Sequence, residues 1–288
     1  MTNLLLGYDF SVYEKENIKY FYTPKDSSFI QSISLKMQPE IKNFENIFDH
    51  KLKSKIKIFF PESEEDFEQL TRGRLPEWSG AVAFSENRII IIKPQKFIDN
   101  SKLLITIKHE LIHIIIADKY FENNLPLWLN EGLATYLSNN YMDENDALIL
   151  SNAIAANKIL ELENINQLMK LNTASANLAY LEAKIAVEYL ITQIGMSQLP
   201  NFLDDLNNTK NTELIFKEYL GYDIIDFEFY WYNYLNDKYK GMVVLNFDNM
   251  IWFALIIIVV IAFIVVKIRN YKKKKSWQMD ELLENLEE

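Results

Sequence analysis

The spacing of apolar and polar positions changes character near residue 100. Before that point, short two-fold patterns lie between longer helical ones. They predict a strand at Ile18–Tyr22, a helix over about 27–48 and a strand at 55–60. A further helix is expected to begin after Pro61. Its opening residues include Glu62, Glu64 and Glu65, as the positive end of a helix dipole favours. Residues 80–84 and 88–92 read as two strands joined through a hairpin-like turn at Ser85–Asn87. From Ser101 onward the pattern is almost wholly helical, with helices at about 101–117, 127–139, 144–157, 174–194, 197–207, 211–220 and 223–239. No internal repeat or low-complexity linker stands out. The expected fold class is α+β: a small N-terminal sheet with its helices (about 1–100), then a mostly helical half (about 101–241).

One stretch breaks this pattern by being apolar all round. Residues 250–266 read MIWFALIIIVVIAFIVV, seventeen positions without a charge. As a helix this is about 26 Å long, close to the thickness of a bilayer's hydrocarbon layer. It ends abruptly in KIRNYKKKK, and Trp252, Tyr271 and Trp277 lie where interfacial aromatics belong. A buried core helix is disfavoured by the all-round apolarity together with this abrupt basic end, so residues 250–266 are expected to span a lipid bilayer, with 267–288 as a charged tail. That tail holds six Lys or Arg and five Asp or Glu. The remaining 24 basic and 35 acidic residues leave the main part acidic, at −11.

The charges flanking the span bear on its orientation. Six basic residues follow it closely, against Lys238 and Lys240 before it. The positive-inside rule therefore puts the tail in the cytoplasm and residues 1–241 outside. The opening residues MTNLLLGYDFSVYEKEN lack a basic stretch, and their apolar run covers only 4–6, so no secretory signal is visible. Either the start lies upstream or the chain is tail-anchored with its main part in the cytosol. The basic cluster favours the outside location.

Composition narrows the function. With 49% hydrophobic and 24% charged residues among 288, the chain is of the folded kind. Seven Gly and seven Pro suit long helices better than a Gly-punctuated β fold. Cysteine is absent, which removes disulfides, thiol catalysis and thiolate metal sites together. A net charge of −10 argues against nucleic acid as a partner.

Only three histidines are present: His50, His109 and His113. His109-Glu110-Leu111-Ile112-His113 is an H-E-x-x-H sequence inside a predicted helix. Four residues make about one turn, so both imidazoles lie on one face and can share one metal ion. Glu110 can direct its carboxylate toward a water on that ion. Around them Leu103, Leu104, Ile107, Leu111, Ile112, Ile114 and Ile115 make the helix a core element, where a His pair with a Glu is costly without a purpose. A hydrolytic zinc site takes three protein ligands and leaves one position open. An H-E-x-x-H-x-x-G-x-x-H extension is ruled out, because Ile116 and Lys119 occupy its Gly and His positions. His50 sits in a Lys-rich, exposed-looking stretch, which favours a carboxylate as third ligand. Asp118 and Glu122 are near in sequence but rotated from the His face, and Glu131 opens a second helix.

KHELIHIIIAD followed by LPLWLNEGLATYLS resembles the gluzincin metallopeptidases of the peptidase-MA-like group. The resemblance covers about 60 residues strongly. It implies His109, His113 and Glu131 as ligands to Zn2+, Glu110 as general base, and a zincin-like fold acting on a peptide or protein substrate. It also implies that the segment containing Gly80, Ala81 and Val82 is an edge strand pairing with substrate backbone. Tyr180, in Asn177-Leu178-Ala179-Tyr180-Leu181-Glu182-Ala183, matches a segment whose tyrosine serves the oxyanion. Aminopeptidases of this clan hold the substrate amine with a Glu of a G-x-M-E-N segment. The 80–84 segment, GAVAF, has none, so an endopeptidase is the expectation. Thermolysin-like members carry an Asp four residues after the ligand Glu to orient an imidazole, and Thr135 stands there instead. An intramembrane protease is disfavoured by Lys102, Lys108, Asp118 and Lys119 around the motif. The alternative of an inactive zincin-fold scaffold at the membrane is disfavoured by the completeness of the His109, Glu110, His113 and Glu131 set.

Overall fold

Two-fold alternation builds the N-terminal sheet. In β2 (Ile18–Tyr22), Ile18, Tyr20 and Tyr22 are buried on one face, while Lys19 and Phe21 turn to the other. The computed structural model describes residues 10–23, 27–73, 75, 79–94, 100–120, 125–209, 211–241 and 247–287. Within them the sheet has five strands in the order β1-β2-β3-β5-β4. β2, β3 (Ile56–Phe59) and β5 (Ile89–Ile92) run parallel to one another. β1 (Ser11–Lys15) and β4 (Ala81–Phe84) close the two edges antiparallel to their neighbours. β1 went unrecognised in the sequence because it is half-exposed, with Val12 turned to solvent and Glu14 and Lys15 ending it.

Helices cover both faces of this sheet. α1 (Ser27–Ile47) packs with Ile18, Tyr20, Ile56 and Ile58 in the main core. α2 (Glu64–Thr71) forms a smaller cluster on the opposite face with Phe59, Ile89 and Ile91. It starts two residues later than its acidic run suggests: Ser63 is the N-cap and forms a capping box with Asp66, leaving Glu62 outside the helix. A short 3₁₀ turn at Ser85–Asn87 joins β4 to β5, and Arg88 takes a left-handed conformation at its end.

The second half is helical, as its periodicity predicts. It comprises α3 (Asn100–Lys119), α4 (Leu127–Ser138), α5 (Glu144–Ala155), α6 (Thr173–Ile194), α7 (Leu199–Thr209), α8 (Thr212–Leu220) and α9 (Ile224–Tyr239). Side chains of Asp143, Asn172, Asn211 and Asp223 cap the N-termini of α5, α6, α8 and α9. A 3₁₀ segment at Leu162–Lys170, absent from the sequence reading, buries Leu162, Ile165 and Leu168. Its three-residue spacing suits the tighter helix. α3 is the bridge between the halves, lying against α1, β4 and β5 on one side and α4 on the other.

α10 (Phe247–Glu287) is one uninterrupted helix whose described side chains are all exposed. Its 251–278 part is long and apolar enough to cross a membrane. The sequence reading ends the helix with the apolar run at 266, whereas it continues through the lysines. No Gly or Pro lies between 267 and 287 to break it.

Candidate metal centre

α3 presents its histidines beside a sealed apolar face. Leu103, Ile107, Leu111, Ile112, Ile114, Ile115 and Ile116 are all buried, which fixes the helix and leaves His109 and His113 one turn apart facing α4. α4 is positioned by Trp128, Leu129, Leu133 and Ala134 in the core, Trp128 stacking on Phe227 of α9. Gly132 sets how closely α4 meets α6. A Cβ there would lie 2.4 Å from the Ala183 carbonyl oxygen and 2.7 Å from Val187 Cγ2. The Gly beside Glu131 is thus a packing requirement between two helices.

The outcome is a convergence of three ligating atoms. Nε2 of His109 and Nε2 of His113 are 3.1 Å apart, and each lies 3.5 Å from Oε2 of Glu131. His113 Nδ1 donates to Asn130 Oδ1 at 2.9 Å, which orients the ring with Nε2 toward the other two groups. Glu131 Oε2 is buried and has no hydrogen-bond partner among the described residues. A buried carboxylate oxygen left this way is expensive unless a cation completes it. Two imidazole nitrogens and one carboxylate oxygen within 4.8 Å of one another form a donor set that can hold a metal ion and suits zinc. Electrostatics agree. Burial pushes Glu131 up, but His113 and His109 overcome it and hold the carboxyl well below its ordinary range. Burial likewise pulls His113 down, and Glu131 more than reverses this, lifting the imidazole to about 9. The carboxylate draws positive charge into a site that otherwise excludes it.

Glu110 lies next to this centre without belonging to it. Its pKa is raised by burial, an effect opposed by His109 and His113 and reinforced by Glu131, and its carboxylate accepts from the Ala83 N–H of β4. That bond ties the candidate base to the edge strand. Tyr180, on α6, has its ring 6.0 Å from that of His109 at 73°. Burial raises its hydroxyl pKa, and the Glu131 and Glu110 charges raise it further. A cleft of about 760 Å³ runs past Gly80, Ala81, Val82, Glu110, Glu131 and Tyr180. The structure therefore brings His109, Glu110, His113, Glu131, Tyr180 and the 80–82 segment around one cleft. Trp78, in the segment leading into β4, lies outside the described residues.

A profile of the Peptidase MA superfamily matches residues 39–237, a stretch that takes in the sheet from β3 onward and all of α3 to α6. The chain belongs to this superfamily. Among solved structures, yeast LTA4 hydrolase in complex with bestatin is similar, at 15% identity and a TM-score of 0.45 over 82% of this chain. The chain spans 38% of that protein's length. No curated protein matches.

Within this Peptidase MA chain the competing ligands are accounted for. His50 Nε2 lies 2.8 Å from Asp118 Oδ2, and Arg88 pairs with the other oxygen of Asp118. The two rejected candidates thus hold each other past the end of the His face. His50 is largely buried in this cluster, contrary to its exposed-looking context, because its partner is 68 residues away in sequence. Glu122 falls outside the described residues. Thr135 spends its hydroxyl on the Glu131 carbonyl and orients no imidazole. That task falls to Asn130 for His113, a residue the sequence reading missed. The available signal was its position directly before Glu131 on a helix facing the H-E-x-x-H helix.

Proposed function

We propose that this chain is a membrane-anchored zinc peptidase that hydrolyses peptide bonds, acting as an endopeptidase. The observation that carries the reading is the convergence of His109, His113 and Glu131, with Glu131 Oε2 buried and lacking a hydrogen-bond partner among the described residues. These three residues would hold the zinc. A bound zinc ion supplies Lewis-acid polarisation of the scissile carbonyl and acidification of a water.

The chain's own groups do the rest. Glu110, half-buried and raised in pKa by desolvation, is suited to take a proton from the attacking water and return it to the departing amine. Its bond to Ala83 N–H holds the carboxylate on the β4 side of the cleft. The Tyr180 hydroxyl, kept protonated by burial, would donate to the oxyanion as charge develops. β4 is an edge strand, so the backbone groups that β5 does not use would pair with an extended substrate, apart from the Ala83 N–H, which meets Glu110, while the Ala81 carbonyl also accepts from the Ser79 hydroxyl. Gly80, Ala81 and Val82 line the cleft and present small side chains that let a peptide approach.

Endopeptidase action rests on the 80–84 segment, GAVAF, which offers no carboxylate to a substrate amine. The apolar run of α10 anchors residues 1–241 to the bilayer, and the basic residues that follow it in the same helix favour a cytoplasmic tail with the peptidase part outside. The test is a digest by the full chain in detergent. Peptides blocked at the N-terminus should be cut at least as fast as those with a free amine, and o-phenanthroline should stop both until zinc is restored. Cleavage confined to free-amine peptides would replace the endopeptidase reading with an aminopeptidase one.

A further inference from the structure

Lys184 is the one Lys or Arg among the described residues lining the cleft. It follows Tyr180 by four residues on α6, which puts it on the same helix face, roughly 6 Å farther along. Only 3% of it is exposed. Its Nζ donates to the Tyr141 carbonyl oxygen at 2.6 Å, and among the described residues it makes no ion pair. An ammonium has three protons to donate, and one is used. Burial lowers the pKa of Lys184; Asp146, which lines the same cleft from the first turn of α5, opposes this together with Glu188 and Asp143, while Lys238 adds to it. These carboxylates soften the cost of the buried ammonium without pairing it.

A carbonyl anchor for the 139–143 connection does not need a cation, since a buried amide donates as well. A desolvated ammonium with protons to spare, one turn from the candidate oxyanion donor, is instead a receptor for an anion. Given the peptidase reading on which this rests, the anion belongs to the substrate. We propose that Lys184 is the specificity-determining residue of this cleft and binds a carboxylate of the peptide. An extended chain advances about 3.4 Å per residue, so this carboxylate lies within about two residues of the scissile bond. It comes from an Asp or Glu side chain or from the peptide C-terminus.

The test uses the full chain in detergent with zinc, and alanine hexapeptides blocked at both ends. Each carries Glu or Gln at one position in turn; an all-alanine pair differs only in a free-acid or amide C-terminus. Both kcat/KM and calorimetric binding are read. A charge-assisted hydrogen bond predicts that one Glu/Gln pair, or the acid/amide pair, differs by about 10- to 100-fold in favour of the carboxylate. Which pair responds identifies the source. Lys184→Gln should bring that ratio close to one with zinc content retained, and Asp146→Asn, which removes a competing negative charge, should raise it. Equal values across all pairs, or a ratio that survives Lys184→Gln, would overturn the proposal. If Lys184→Gln does not fold, Asp146→Asn decides, and an unraised ratio counts against Lys184. Absence of all cleavage would instead strike the peptidase reading, while the binding ratios still score Lys184.

Discussion

Asn130 and Glu131 are neighbours on α4 with separable tasks, and single substitutions should separate them. Glu131→Ala removes one of three ligating atoms and should strip zinc from the protein at concentrations that saturate the wild type. Asp118→Ala, whose carboxylate is held by His50 and Arg88, should leave zinc content unchanged, as measured by metal analysis after dialysis. Loss of the metal on Asp118→Ala alone would refute the assignment of Glu131. Asn130→Ala leaves the ligands but frees the His113 ring, so zinc affinity should fall by about 10- to 100-fold. Tyr180→Phe deletes one hydroxyl and little packing. It should keep the zinc and lower kcat by about 10²-fold or more, the scale of a lost oxyanion donor. An unchanged rate would return Tyr180 to a packing role.

At the level of elements, α4 and α6 are held together by what is missing at Gly132. Alanine is the better helix former by about 1 kcal/mol. Yet its Cβ would meet a backbone oxygen at 2.4 Å, and prising two packed helices apart costs about 1–3 kcal/mol. The clash wins, so Gly132→Ala should lower the melting temperature by several degrees and weaken zinc binding through Glu131; a stabilised variant would contradict this packing. α6 also buries Glu182 completely, where among the described residues its carboxylate accepts only from the Leu160 N–H and burial raises its pKa to about 8. The folded state keeps this proton where the unfolded chain has lost it. Stability should therefore fall as pH rises from about 4.5 toward 8, and Glu182→Gln should flatten that slope in melts at several pH values. Long helices and β2, β3, β4 and β5 were legible from periodicity, and the candidate ligands from His109, His113 and the E-G pair of α4. β1 was not, because half-exposed edge residues carry little alternation. Asn130 and Lys184 were not, because each acts through a partner, His113 or the Tyr141 carbonyl, set by how helices pack. His50 failed for the same reason.

For the whole molecule, the governing feature is a folded part before the apolar 250–266 run of α10 and six basic residues after that run. Positive-inside orientation predicts that protease shaving of intact cells removes a tag at residue 1 and spares one at residue 288. The reverse pattern would place the peptidase part in the cytoplasm. The central claim, that this chain hydrolyses peptides with Glu110 as base at a His109–His113–Glu131 zinc centre, is tested most directly by Glu110→Gln in the full chain. Zinc content and peptide turnover should be measured on one preparation. The account predicts about one zinc per chain, as in the wild type, with turnover reduced by several orders of magnitude, because the ligands remain and only the proton carrier is gone. Turnover near the wild-type rate with zinc fully retained would contradict it.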